Sequence, residues 1–198
     1  MADRFAVIDV ETSGLSARRH RLLQIAVVTT DGSGRVLSEW STYVRRRFAP
    51  VGPTEIHGIT RSTVRRAPRF SDVMGELVGQ LDGATIVAHN AQFDWAFVRR
   101  ALRRAGYRVP DARRICTLRL SRQLDPERLV RHRLGDLCER YGVPLVNAHD
   151  ALTDARATAG VLPWLLTAAG DRVITATDGS ATEWPRPPTS VGPLRRYW

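Results

Sequence analysis

A chain of 198 residues suffices for one well-cored domain and is short for two. Its 43% apolar and 25% charged residues are the balance of a globular protein and exclude a disordered or collagen-like chain. The formal net charge is +10, and all 30 basic residues are arginine. Arginine forks match phosphate oxygens two at a time and stay ionised, so such a surface points to a polyanionic partner, nucleic acid first. The apolar run near Gly160–Ala169 is broken by Pro163 and Thr167, so no segment can span a bilayer and no membrane partner is expected. Asp3, Arg4, Asp9 and Glu11 precede any apolar stretch of signal length, which predicts a cytoplasmic protein. Cys116 and Cys138 form neither a CxxC pair nor a zinc spacing and read as two reduced thiols.

Three apolar segments come first: Phe5–Val10, Leu22–Thr30 and Val36–Val44. Asp31-Gly32-Ser33-Gly34 is a hairpin turn, so the second and third strands pair antiparallel. Ser71–Leu81 reads as a helix with Ser71 as N-cap and Gly83 just past its end. Ala84–His89 is a short strand. Asn90 then caps a helix that runs through Arg104 and stops at Gly106. Two shorter helices follow, Leu118–Leu124 and Leu134–Tyr141. A final helix runs from about Asp150 to Ala169, kinked or split by Pro163. This order predicts an α/β domain with a mixed sheet over residues 1–170. Residues 171–198 hold four prolines and no periodicity. They are expected to form a flexible tail that the fold does not need.

The first strand carries Asp9 and Glu11 two residues apart, so both carboxylates stand on one face, that of Phe5 and Val7. The other face is Ala6, Ile8 and Val10. Two acids at the end of a covered strand call for a positive partner, and a divalent cation suits carboxylate oxygens. Asp94 continues the inward stripe of Phe97, Val98, Ala101 and Ala105, which a solvated cap residue has no reason to do. His149 and Asp154 are five residues apart, roughly 140° around a helix, so His149 belongs to the turn before the helix and Asp154 to its buried side. Asp150 reads as the solvated acid at the helix start.

The stretches Asp9-Val10-Glu11-Thr12-Ser13-Gly14-Leu15, Ala88-His89-Asn90-Ala91-Gln92-Phe93-Asp94 and His149-Asp150-Ala151-Leu152-Thr153-Asp154-Ala155 resemble the three exonuclease motifs of the DEDDh, or DnaQ-like, 3′–5′ exonucleases. The proofreading epsilon subunit of bacterial DNA polymerase III is a member of that family. Ile56-His57-Gly58-Ile59-Thr60 and Leu134-Gly135-Asp136-Leu137 are similar to it as well, and the resemblance covers about residues 4–166. One departure is Gln24, where relatives often carry Glu.

The resemblance implies a ribonuclease H-like fold, a mixed five-stranded sheet with its first three strands antiparallel and helices on both faces. It implies that Asp9, Glu11 and Asp154 hold one Mg²⁺ or Mn²⁺, that Asp9 bridges to a second, and that Asp94 reaches this second ion through water. His149 would be the general base, Thr12 and Leu15 would contact the terminal nucleotide, and Asn90 would touch the substrate. The implied reaction releases 5′-mononucleotides from the 3′ end of single-stranded DNA, in proofreading or DNA repair, with a polymerase as a partner. Trimming of RNA ends is the alternative with the same chemistry. A catalytically idle nucleic-acid or polymerase-binding module is the alternative from another class. Its mark would be a lost acid or histidine, and all five are present.

Overall fold

Alternation of small and branched apolar residues makes the first strand a two-sided one. The computed structural model describes residues 4–46, 50–147, 149–170, 173 and 177–187, and in it β1 spans Arg4–Thr12. Ala6, Ile8 and Val10 enter the core on one face, and Phe5 and Val7 enter a second core on the other. β2 (Leu22–Asp31) and β3 (Val36–Tyr43) form the expected antiparallel hairpin. The Asp31 carboxylate fixes its turn by accepting from the N–H groups of Ser33 at 3.0 Å and Arg35 at 3.1 Å.

Two short helices that carry no clear periodicity, α1 (Thr54–His57) and α2 (Arg61–Arg66), lead to α3 (Phe70–Leu81). The N-cap of α3 is Arg69 rather than Ser71, because the Asp72 carboxylate closes the turn by accepting from the Arg69 N–H at 3.1 Å. β4 (Thr85–Ala88) pairs parallel with β1, and α4 (Ala91–Arg104) follows it. β5 (Arg114–Cys116) pairs parallel with β4. It leads into α5 (Thr117–Gln123), α6 (Leu134–Tyr141) and α7 (Ala151–Ala169). Helices α3 and α4 cover the Ala6–Ile8–Val10 face, while α5, α6 and α7 cover the other.

Helix α7 is not split. Pro163 forfeits one N–H within it, yet the helix continues to Ala169, with the proline ring packed on the β2–β3 turn. A Cβ added at Gly34 in that turn would come within 2.5 Å of the Pro163 ring.

The sheet has six strands, in the order β3-β2-β1-β4-β5-β6, rather than five. The sixth, β6 (Thr177–Asp178), lies in the segment expected to be a tail and pairs antiparallel with β5. Beyond it, Arg113 N–H donates to Ala181 O at 2.7 Å and Gly83 N–H to Thr182 O at 2.9 Å. Trp184 is 7% exposed, edge-on to Trp95 at 6.0 Å and stacked on Tyr107 at 6.1 Å. Residues 177–184 thus pair with β5 and its flanking loops and pack on α4. A two-residue strand has no readable period, and a buried tryptophan outweighs the prolines around it. Residues 171–172, 174–176 and 188–198 of the expected tail lie outside the described residues. No helix among the described residues is long and apolar enough to cross a membrane.

Candidate active site

The sheet order places β1 between β2 and β4, so the chain ends of β1 and β4 point the same way. Helix α4 starts directly after β4 and brings its first turn beside the end of β1. This is where parallel strands leave a crevice for a ligand. Helix α7 packs on the opposite face of the same strands. Four carboxylates from three elements thereby converge: Asp9 and Glu11 from β1, Asp94 from α4 and Asp154 from α7.

Asp94 is 3% exposed, as its inward phase predicts. Asp154 lies in the first turn of α7, and its Oδ2 accepts the His149 N–H at 3.2 Å. Its Oδ1 is buried with no hydrogen-bond partner. An oxygen in that position is costly to leave bare. Donor atoms of Glu11, His149 and Asp154 all lie within 4.8 Å of one another. Hard carboxylate oxygens, one of them buried and orphaned, suit a divalent cation. His149 stands as near this group as a ligand does, and Asp9 and Asp94 border it.

The electrostatics match a site short of positive charge. Burial, then the fields of Asp94, Asp154, Glu11 and Asp150, push the Asp9 carboxyl well above its usual range. Burial, then Asp154, Asp150 and Asp94, push Glu11 up to about 8. Burial pushes Asp94 up to about 8 against the hydrogen bonds from backbone groups of Asp94 and Val10. Burial raises Asp154 too, although the His149 N–H opposes it.

His149 lies outside α7, exposed, with φ 73°. A non-glycine residue in the left-handed region is strained, and such strain collects at functional positions. Asn147 shares it at φ 56°.

Asp150 is not a solvated acid. It caps α7, its Oδ1 accepting from Leu152 and Thr153 N–H at 3.1 Å, and its Oδ2 accepts from Gln24 Nε2 at 3.1 Å. Burial raises its pKa, but these hydrogen bonds outweigh burial and hold it below the usual range. Gln24 is paired with Glu11 across β1 and β2, so the glutamine supplies a donor where a glutamate would add another charge.

Of the substrate-facing candidates, Leu15 is 86% exposed on the β1–β2 loop and is no core leucine. Thr12 is buried and donates to Gly14 O at 2.9 Å, which shapes that loop. Asn90 has φ 73° and makes no side-chain cap; the cap is its backbone, with Phe93 N–H donating to Asn90 O at 2.8 Å. Its exposed amide is left over. His57 is tied inward, accepting from Ile59 N–H at 3.0 Å and bonded to Val51 O at 3.1 Å.

A residue set that sequence reasoning passed over is Ser121, His132 and Asp125. Ser121 Oγ lies 2.7 Å from His132 Nδ1, and His132 Nε2 lies 3.2 Å from Asp125 Oδ2. Ser121 is 2% exposed, so this chain ties the segment after α5 to the core and offers no nucleophile to a substrate.

The chain is 36% identical over 165 residues to the PolC-type DNA polymerase III of Oceanobacillus iheyensis, a match over 83% of the chain and 11% of that protein. It is 34% identical over 157 residues to the 3′-5′ exonuclease DinG of Bacillus subtilis, covering 78% of the chain and 17% of the relative. It thus spans between a tenth and a fifth of these relatives' length. Among solved structures, Exonuclease X in complex with 5′ overhanging duplex DNA superposes with a TM-score of 0.69 at 26% identity, covering 87% of this chain and 96% of that one. Escherichia coli Exonuclease I in complex with a dT13 oligonucleotide superposes with a TM-score of 0.73 at 24% identity, over 87% and 43% of the two chains. The fold is thus the ribonuclease H-like one of these exonucleases. The Exonuclease (RNase_T) family model matches residues 6–162, and the chain belongs to that family.

Proposed function

We propose that the chain is a metal-dependent 3′–5′ exonuclease that hydrolyses the terminal phosphodiester of single-stranded DNA and releases 5′-mononucleotides. The observation that carries this reading is the meeting of Asp9, Glu11, Asp94, Asp154 and His149 at the end of β1, with a buried Asp154 oxygen left without a partner. Asp9, Glu11 and Asp154 would hold one Mg²⁺ or Mn²⁺, and Asp9 and Asp94 would serve a second. When bound, such ions activate the attacking water and offset charge on the attacking and leaving oxygens.

The chain's own residues do the rest. His149 accepts the proton of the attacking water at an imidazole nitrogen. Its backbone N–H on Asp154 Oδ2 keeps the ring beside the carboxylates. Leu15 wedges against the terminal base, Thr12 holds the loop that carries it, and the Asn90 amide meets the substrate backbone. Hydrogen bonds from Gln24, Leu152 and Thr153 occupy the Asp150 carboxylate, which therefore serves the helix start rather than a metal.

A polymerase-linked role in proofreading, or a role in DNA repair, is supported by the polymerase and exonuclease relatives. The test is degradation of matched 3′-labelled DNA and RNA oligonucleotides with and without Mg²⁺. DNA is shortened from its 3′ end only with the metal. Faster loss of RNA would replace DNA as the substrate, and no loss of either would overturn the reading.

A further inference from the structure

A cleft of about 1040 Å³ between α4 and α5 holds several arginines. They are partly spent. Arg114 lies 3.5 Å from Asp111 and sits over the Trp95 ring at 5.2 Å, and Arg119 lies 3.2 Å from Asp178. A different surface lacks such compensation. Arg21, Arg46, Arg69, Arg100 and Arg104 surround a hollow of about 260 Å³ floored by Phe70 and Phe97. It runs through Arg46, Arg69 and Phe70 into a second hollow of about 450 Å³, which Arg45 and Arg65 also line.

Among the described residues no carboxylate lines either hollow, and none of these seven guanidiniums makes an ion pair. Like charges gathered this way repel, and a chain that keeps them together without acids is built for an anion. The arginines are also pre-positioned. Arg45 Nε donates to Ala67 O at 2.8 Å and Arg46 Nε to Leu22 O at 3.4 Å, which frees the Nη forks for an outside acceptor. The Nε of Arg100 is buried without a partner.

The position of the cluster narrows the anion. Arg21 N–H donates to Ser13 Oγ at 3.0 Å, and Ser13 N–H donates to Arg21 O at 2.9 Å. Leu22 is the register partner of Thr12, so the cluster begins one strand spacing, about 4.8 Å, from the strand end that carries Glu11. The loop that presents Leu15 on one side lines the arginine hollow with Ala17, His20 and Arg21 on the other. A repeated anion threading from the carboxylates over this loop meets the guanidiniums next.

We propose that Arg21, Arg45, Arg46, Arg65, Arg69, Arg100 and Arg104 bind the phosphodiester backbone of the same nucleic-acid strand whose 3′ end enters the carboxylate site. This rests on the exonuclease reading above. The cluster supplies affinity that the acidic site cannot, since carboxylates repel phosphates until metal is bound. It contacts phosphates, so it is blind to base sequence.

The test separates the two readings. Binding of a fluorescein-labelled oligothymidylate is followed by anisotropy in EDTA, where no hydrolysis occurs. The variant R65Q/R104Q changes two exposed arginines, one from each hollow. Its Kd rises roughly 5-fold per residue at about 0.1 M salt, about 25-fold together, and the slope of log K against log salt shallows by about 1.4. R99Q/R103Q, in the larger cleft, is the comparison and stays near wild type. Hydrolysis of the p-nitrophenyl ester of thymidine 5′-monophosphate with Mn²⁺ reaches only the carboxylate site and is unchanged in R65Q/R104Q.

Wild-type binding by R65Q/R104Q, or a larger loss in R99Q/R103Q, overturns the proposal. A protein that binds through the cluster but hydrolyses neither ester nor oligonucleotide keeps the proposal and sinks the exonuclease reading instead. If R65Q/R104Q melts early, the single variants R65Q and R104Q are read in its place by the same slope.

Discussion

Asp150 and Asp154 stand one turn apart at the start of α7, and their surroundings push their carboxyls in opposite directions. Four donors from Gln24, Leu152 and Thr153 lower Asp150, whereas burial raises Asp154, one of whose oxygens has no partner. Sequence spacing separates the two by phase alone and misses the Gln24 contact, because a donor from a distant strand leaves no local pattern. The useful control is therefore Asp150→Asn, which keeps a capping side chain. Asp150→Ala costs about 1 kcal/mol in lost capping and confounds stability with rate. Asp154→Ala and Asp94→Asn nearly abolish turnover while Asp150→Asn retains most of it. Comparable loss in Asp150→Asn and Asp154→Ala, measured on labelled DNA, would end the assignment of Asp154. His149→Ala leaves metal binding in place and lowers the rate ~10²–10⁴-fold, the range of a general base. A His149→Ala protein with the wild-type rate puts the base elsewhere.

At the level of elements, the strong periods were legible and the short ones were not. β1, β2, β3, α4 and α7 follow from alternation, turn residues and helical stripes, and the inward phase of Asp94 follows from the α4 stripe. β5 and β6 have three and two residues, too few to show a period, and exist because neighbours offer them backbone partners. The segment that carries β6 bears on the site. Trp184 packs on Trp95, the residue next to Asp94, and its backbone N–H donates to the Asp82 carboxylate at 2.9 Å. Tyr107 donates its hydroxyl to Pro185 O from just beyond the end of α4. The strap over 181–185 thus clamps the helix that aims Asp94. Trp184→Ala removes a buried indole and costs about 3–5 kcal/mol. It lowers Tm and slows hydrolysis on every substrate, since a loosened α4 misplaces a carboxylate. Truncation before residue 177 does the same. A truncated protein with full activity and unchanged melting would show that the domain ends near Gly170 after all.

Across the whole molecule, a basic protein holds an acidic pocket at one end of its sheet, and the two charges answer to pH differently. Glu11 and Asp94 are pushed up to about 8 from carboxylate values near 4 in the unfolded chain. A carboxyl raised by folding favours the folded state when protonated. Its stabilisation is complete below pH ~4 and is lost as pH rises through the folded value near 8. Groups moved the other way act at lower pH. Partial burial lowers His89 to about 4, so its contribution is present above its ordinary value of 6.5 and is lost as pH falls toward 4. Hydrogen bonding to Ser33, with Arg35 and against burial, lowers Asp31 to about 2, and that contribution fades only in strong acid. Between pH ~6.5 and ~8.5 the carboxylate cluster therefore governs the slope. In EDTA, Tm falls across this window. Mn²⁺ or Mg²⁺ binds the ionised carboxylates and not the protonated ones, so the metal-induced rise in Tm grows with pH. Asp94→Asn removes one of the raised groups and flattens the fall in EDTA. Calorimetry or dye-monitored melting over the window, with and without metal, decides it. A Tm that climbs with pH in EDTA, or a metal effect larger at the acid end, would mean that these carboxylates do not form one coupled, cation-seeking site.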